Sequence, residues 1–280
     1  MNDGLILLDK DIGLTSRKAD NIIAHSLHLK KVGHLGTLDP FASGLLVIAV
    51  NKGTKFLPYL EDGEKEYEAT LKLGYHSSTG DPDGEITKSN DPIPSFDEEK
   101  IKSVFLKFLG KQMQLAPLTS AHKVDGVAMY KYAHKGVEME RKSYPIEIFS
   151  LELVSFSEDE ISFRVKASKG TYIRVLGEDI AKELGSVGYL TSLRRIKIGK
   201  LSVEDAVKLD VLSSEDIIDP TPLIDLPHYE CDETLSKKVM NGVSIYLNRE
   251  EEKLLLIHEG VALAVYKRSG DKYVSERGLF

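Results

Sequence analysis

The chain has 280 residues, 37 Lys and Arg against 44 Asp and Glu for a net charge of −7, and a single cysteine, Cys231. That length supports one sizeable core with a small appended unit, and one thiol excludes an intramolecular disulfide or a multi-cysteine metal cluster. The start has only a four-residue apolar run before Asp9, Lys10 and Asp11, and nothing later approaches the roughly 18 apolar residues of a membrane span, so a cytoplasmic protein with no membrane partner is expected.

In chain order, GLILL reads as a buried strand and TSRKADNIIAHSLHL as a helix. Thr15 or Ser16 is placed to cap that helix, with Ala19, Ile22, Ile23 and Leu27 on its apolar face. The segment KVGHLGTLDPFASGLLVIAV places three glycines and Pro40 before the apolar run Leu45 to Val50, as expected of a structured loop feeding a strand. KEYEATLKLG alternates as a strand does, and HSSTGDPDGEIT is a turn-rich connection. Asp97 is positioned to cap a helix with Ile101, Val104, Phe105 and Phe108 on one face, stopping at Gly110.

The strands EIFSLELVSF and EISFRVKAS follow, separated by an acidic turn, and TYIRVLGEDIAKELG has helical spacing at Ile173, Ile180 and Leu184. Strands and helices do not alternate as regular crossover units, so the expected class is α+β, a mainly antiparallel mixed sheet flanked by helices. DPTPLIDLPHYE reads as a linker. Beyond it come a short helix, DETLSKKVMNG, and three short strands. The expected division is a catalytic domain over 1–225 and a small β-rich unit over 226–280.

The overall charge argues mildly against a nucleic-acid partner, but it hides an asymmetry. Between Arg164 and Lys200 there are nine basic residues and three acidic ones, a patch able to hold a phosphate backbone. The most informative stretch is GHLGTLDPFASG, residues 33 to 44. Its glycines permit close approach of a ligand, and Pro40 keeps Asp39 out of helical dihedrals. Such a loop can present one carboxylate to a cleft, although an aspartate before proline is also an ordinary turn former. His25, His28 and His34 lie near one another in sequence without a supporting cysteine set, and no metal site is expected.

GHLGTLDPFASGLL resembles the catalytic motif of the bacterial tRNA pseudouridine-55 synthases, the TruB family. GLILLDKDIGLTS, KEYEATLKLG, LTSAHKVDGVAMYKYAHKG, SKGTYIRVLGEDIAKELG and LTSLRRIKIGKLS match that family in the expected order. The resemblance implies the pseudouridine synthase fold with a PUA-like C-terminal domain, tRNA as partner through its T stem-loop, no obligate protein partner, and a monomer. It implies Asp39 as catalytic nucleophile, Tyr67 stacking on the target base, Arg174 paired with Asp39, and Leu193 lining the uracil pocket. His34 is implied in base flipping and Lys10 in support of the motif. Lys169, Arg194, Arg195 and Lys197 are the expected phosphate contacts from the basic segment.

The implied reaction breaks the N1–C1′ bond of uridine and rejoins the same uracil through carbon 5, so it needs neither redox change nor group donor, and no cofactor is expected. It needs one carboxylate that stays charged while shielded from water, and a guanidinium opposes the rise in pKa that burial causes. The sequence departs from the family's QxPPxYSAxK pattern at Ala116 and Thr119, and has His134 where arginine is common. Two rivals stand beside this reading: a synthase of the same fold acting on another RNA, and a non-catalytic RNA-binding module. A metabolic α/β enzyme is disfavoured, because the chain has no lysine-serine phosphate loop and no G-x-S-x-G elbow.

Overall fold

The computed structural model describes residues 3–60, 63–117, 123–124, 127–128 and 142–280. In chain order, strand β1 (Gly4–Lys10) is followed by helix α1 (Ser16–Ser26), then by the strands β2 (Val32–Leu35), β3 (Ser43–Val50), β4 (Lys65–Leu73), β5 (Tyr75–Ser77) and β6 (Ile86–Lys88). Helix α2 (Glu98–Leu106), β7 (Gly110–Leu115), the short pair β8 (Lys123–Val124) and β9 (Val127–Ala128), β10 (Ser143–Phe156) and β11 (Glu160–Ala167) come next. Helix α3 (Ile173–Glu183) leads to β12 (Gly188–Ile198) and β13 (Leu201–Ser202). The chain then forms β14 (His228–Glu230), helix α4 (Glu233–Met240), β15 (Lys253–His258), β16 (Val261–Ser269) and β17 (Lys272–Gly278).

Among the described residues, nine strands form the main sheet. Its order is β1-β3-β12-β4-β11-β10-β7, with β2 joined to β3 and β13 to β12. All its pairings are antiparallel except β3 with β12, which run parallel where Ser43 and Gly44 meet Arg194 and Arg195. This is the expected α+β mixed sheet. Strand alternation sends Ile6, Leu8, Leu46, Ile48 and Val50 to one face, where Ala19 and Ile23 of α1, Ile101 and Phe105 of α2, and Ile173 and Ile180 of α3 pack against them and against β4, β11 and β12. Leu5, Leu7, Leu45 and Val47 point to the other face and join Leu60 and Ile198.

The local signals act as expected at the helix starts. Thr15 accepts from the Lys18 amide, Asp97 from that of Lys100 and Asp232 from that of Leu235, each such cap contributing about 1 kcal/mol. Two expectations need correction. Val32–Leu35, read as loop, is a strand antiparallel to β3, because β3 supplies paired backbone groups that outweigh Gly33 within the strand and Gly36 just after it. The segment read as a linker is packed: Ile224 is buried with Phe56, Leu255, Val265 and Leu279, so the four-stranded sheet β14-β15-β16-β17 sits on the main body through apolar contacts. Thr119 and His134 lie outside the described residues, and Ala116 is buried.

Candidate active site

The parallel seam places the glycine-rich loop. Gly44 has φ +99° and a Cβ there would lie 2.2 Å from the Arg195 carbonyl oxygen, so only glycine lets β3 approach β12 this closely. The loop between β2 and β3 then carries Asp39 over the end of the sheet. β4 runs antiparallel to β12 with Tyr67 opposite Arg195 and Ala69 opposite Leu193, which turns Tyr67 and Leu193 to the same face. Helix α3 begins beside them and brings in Arg174.

These elements enclose a cavity of about 520 Å³ whose wall includes Thr37, Asp39, Tyr67, Tyr172, Arg174 and Leu193. Arg174 is its electrostatic centre. Its Nε lies 2.9 Å from Asp39 Oδ2 and its Nη1 3.0 Å from Asp81 Oδ2, and Nη1 also donates to the Thr79 carbonyl at 2.6 Å. Arg174 and Asp81 are buried, while the Asp39 side chain keeps 38% of its exposure, toward the cavity. One guanidinium thus serves two carboxylates, one buried and one facing open space.

The Asp39 carboxyl is held above its usual range. Desolvation by the surrounding protein is the main cause, the Arg174 charge opposes it, and the charges of Asp81 and Asp83 reinforce it. The arrangement keeps a poorly hydrated carboxylate beside its counter-ion, with one side free to meet a ligand. That suits a nucleophile or a general base. Among the described residues no group of His, Cys, Asp and Glu side chains could hold a metal ion.

Asp39, Tyr67, Arg174, Leu193 and Arg195 are therefore brought together on the cavity wall, and His34, Lys10, Lys169, Arg194 and Lys197 are not. His34 does not line the cavity; its Nδ1 faces Asp20 Oδ2 at 2.9 Å and its Nε2 faces Thr37 Oγ1 at 3.2 Å. Lys10, expected in support of the motif, is fully buried and donates to the carbonyls of Asp11 and Leu14 at 2.9 and 2.7 Å. It braces the first loop instead of reaching a ligand, and burial lowers its pKa to about 8 against the raising charges of Asp39 and Asp11. Arg195 is a second correction: it is 1% exposed and donates to the Leu45 and Gly36 carbonyls, both at 2.8 Å, so it cannot meet a phosphate in solvent.

Arg194 makes a two-pronged pair with Asp9 at 2.8 and 2.9 Å, Lys197 lies 3.6 Å from Glu66, and Lys169 is exposed. A charge count cannot see burial, which is why Arg195 entered the basic patch. Asp81 was missed because an aspartate within GDPDG is indistinguishable in sequence from a turn former. Gln114 was also missed. It accepts from the Tyr172 amide at 2.8 Å and donates to the Tyr172 carbonyl at 3.0 Å, fixing the residue that leads into α3.

Comparison with known proteins gives the family. Residues 24–173 match the TruB family pseudouridylate synthase (N terminal domain). A tRNA pseudouridine synthase B of Hydrogenovibrio crunogenus is 38% identical over 261 residues, 92% of this chain and 86% of that protein. One from Psychrobacter cryohalolentis is 43% identical over 211 residues, 74% of this chain and 58% of that protein's length. Among solved structures, a chain of a Cbf5-Nop10-Gar1 complex is similar in fold, with a TM-score of 0.73 over 100% of this chain and 85% of that chain, at 22% identity. The matched region and the full-length relative together establish that the chain belongs to the TruB family of pseudouridylate synthases.

Proposed function

We propose that this enzyme converts uridine 55 in the T loop of tRNA to pseudouridine, with Asp39 as its catalytic residue. The observation that carries the proposal is the Asp39–Arg174 pair at 2.9 Å, facing a cavity walled by Tyr67 and Leu193. A uridine stacked in a folded arm cannot be reached in place, so it is extruded into the cavity. Tyr67 offers the ring on which the uracil stacks, worth roughly 1–3 kcal/mol, and Leu193 supplies an apolar wall.

Ionised Asp39 either attacks C1′ or removes the 2′ hydrogen. Either step lets the N1–C1′ bond break with its electron pair on uracil, which turns within the cavity. Carbon 5 then bonds to C1′, expelling the Asp39 carboxylate in the first route, or adding across the C1′–C2′ double bond as Asp39 returns the hydrogen to C2′ in the second. The proton on carbon 5 then passes to N1, so the product is an isomer of the substrate and nothing is oxidised or reduced. Arg174 holds the Asp39 carboxylate and keeps it charged. Exposed Lys169 is assigned to the phosphate backbone near the cavity mouth. Residues 1–225 form the catalytic unit and 226–280 a small PUA-like unit that adds RNA contact, in a cytoplasmic protein. Among the described residues no helix is long and apolar enough to cross a membrane.

The test uses purified protein and an unmodified tRNA transcript carrying tritium at carbon 5 of its uridines. Label released from uridine 55 alone, and lost with Asp39→Ala, is the expected result. No release from this tRNA by folded enzyme overturns the substrate assignment; release from total cellular RNA would then move it to another RNA, and RNA binding without release from either would point to a binding module.

A further inference from the structure

Two buried side chains on helix α1 reach the loop that carries Asp39. Ser16 and Asp20 are one helical turn apart, share a face, and are each 1% exposed. The Ser16 hydroxyl accepts from the Leu38 amide at 2.9 Å and donates to the Leu38 carbonyl at 3.0 Å, clamping the residue next to Asp39. Asp20 Oδ2 lies 2.9 Å from His34 Nδ1 and 3.2 Å from Arg17 Nη1. His34 Nε2 in turn lies 3.2 Å from the hydroxyl of Thr37, on the cavity wall two residues before Asp39.

The other Asp20 oxygen, Oδ1, is buried with no hydrogen-bond partner among the described residues. An unpaired buried carboxylate oxygen is a cost to the fold, and an apolar side chain at this point of α1 would avoid it. The carboxylate therefore earns its place through what it does to His34. As an acceptor it requires the hydrogen on Nδ1, which sets the ring's orientation and presents Nε2 to Thr37.

We propose that Asp20 is a positioning residue that acts through His34 and the Thr37 hydroxyl to hold the Asp39 loop in reactive geometry. The inference rests on the assignment of Asp39 as the catalytic residue. Small displacements of such a loop are expensive in rate.

The experiment compares Asp20→Asn, which keeps an acceptor, with Asp20→Leu, Thr37→Val and the Asp20→Leu/Thr37→Val double variant. Single-turnover pseudouridine formation, tRNA affinity and thermal melting are measured on the full chain. Asp20→Asn is expected within about threefold of wild type, while Asp20→Leu slows the single-turnover step by about tenfold at unchanged tRNA affinity. The double variant is expected to be no slower than the slower single one, since both act on one path. A folded Asp20→Leu protein reacting at the wild-type rate, or losses that multiply in the double variant, overturns the proposal.

Should Asp20→Leu not fold, the same cycle is run with His34→Gln and Thr37→Val, where multiplied losses again overturn it. Nitrogen-15 spectra of the His34 ring in the free protein give a reading independent of any RNA. The hydrogen is expected on Nδ1 in wild type and Asp20→Asn and redistributed in Asp20→Leu; an unchanged ring in Asp20→Leu overturns the proposal even if the RNA substrate has been misassigned.

Discussion

Replacing Arg174 with methionine tests the electrostatics of the site most directly. The substitution keeps an unbranched stem but removes the guanidinium that contacts Asp39 at 2.9 Å, Asp81 at 3.0 Å and the Thr79 carbonyl at 2.6 Å. Removing one partner of a buried ion pair costs about 3–5 kcal/mol, because the remaining charge is left uncompensated. Here the Asp39 side chain is 38% exposed and its share is screened. Asp81 is 6% exposed but keeps hydrogen bonds from the Thr79 hydroxyl and the Asp83 amide. The expected loss is thus about 2–4 kcal/mol in urea unfolding at neutral pH.

Rate gives a second reading. Without Arg174, the largest influences that lower the Asp39 pKa disappear while desolvation, Asp81 and Asp83 still raise it. The carboxylate then ionises only at higher pH, and the acid limb of the single-turnover profile moves up. Adding Asp81→Asn to Arg174→Met removes the orphaned charge and is expected to restore at least about half of the lost stability. A loss below about 1 kcal/mol together with an unmoved acid limb would refute the assignment of Arg174 as the shared counter-ion.

Four further outcomes follow from the same geometry. The folded Asp39 pKa lies above its unfolded value, so ionised Asp39 costs stability as pH rises through the folded pKa. Asp39→Asn should therefore abolish reaction yet gain on wild type in melting temperature between pH 4 and pH 7.5, and a loss relative to wild type over that interval contradicts the sign. Lys10 is lowered from 10.5 to about 8; unfolded chains keep this proton when folded ones have lost it, so wild type should gain stability over Lys10→Met between about pH 8 and 10.5, by at most about 3 kcal/mol, measured by denaturant unfolding across that range. Gln114→Ala removes two hydrogen bonds to the Tyr172 backbone, whose carbonyl still accepts from the Leu176 amide, and should cost about 1–3 kcal/mol in urea unfolding at roughly 0.5–1.5 kcal/mol per bond, with a slower single-turnover rate. In filter binding, Lys169→Ala should reduce the salt dependence of tRNA affinity by about one counter-ion, whereas Arg195→Ala should lower the melting temperature and leave that dependence unchanged.

Much of this was legible in the sequence because local chemistry decides it. Thr15 and Asp97 cap their helices as expected, Gly110 and Gly185 take positive φ where α2 and α3 have ended, and β4 alternates between more and less buried positions along its length. Strand β12 was harder to see. Irregularities between Leu190 and Ser192 and between Arg195 and Lys197 break its period, and one of its inward positions holds the buried cation Arg195. At the site, ordered motifs singled out Asp39, Tyr67, Arg174 and Leu193. Asp81, Gln114 and Asp20 depend on contacts 14 to 93 residues away in sequence, and no local pattern marks them.

The parallel seam between β3 and β12 also dictates when the cavity can exist during folding. Its partners, Ser43–Gly44 and Arg194–Arg195, are separated by most of the main sheet's sequence, and closing so long a loop loses chain entropy before any contact compensates. Helix α1, β1, β2 and β3 can associate locally, but Asp39 has no guanidinium beside it until α3 and β12 have docked. The free carboxylate and its counter-ion thus meet late, after the scaffold on each side has formed. A chain stalled before that closure would hold much of its secondary structure while lacking a reactive centre, so recovery of catalytic activity on refolding should lag behind recovery of helical signal.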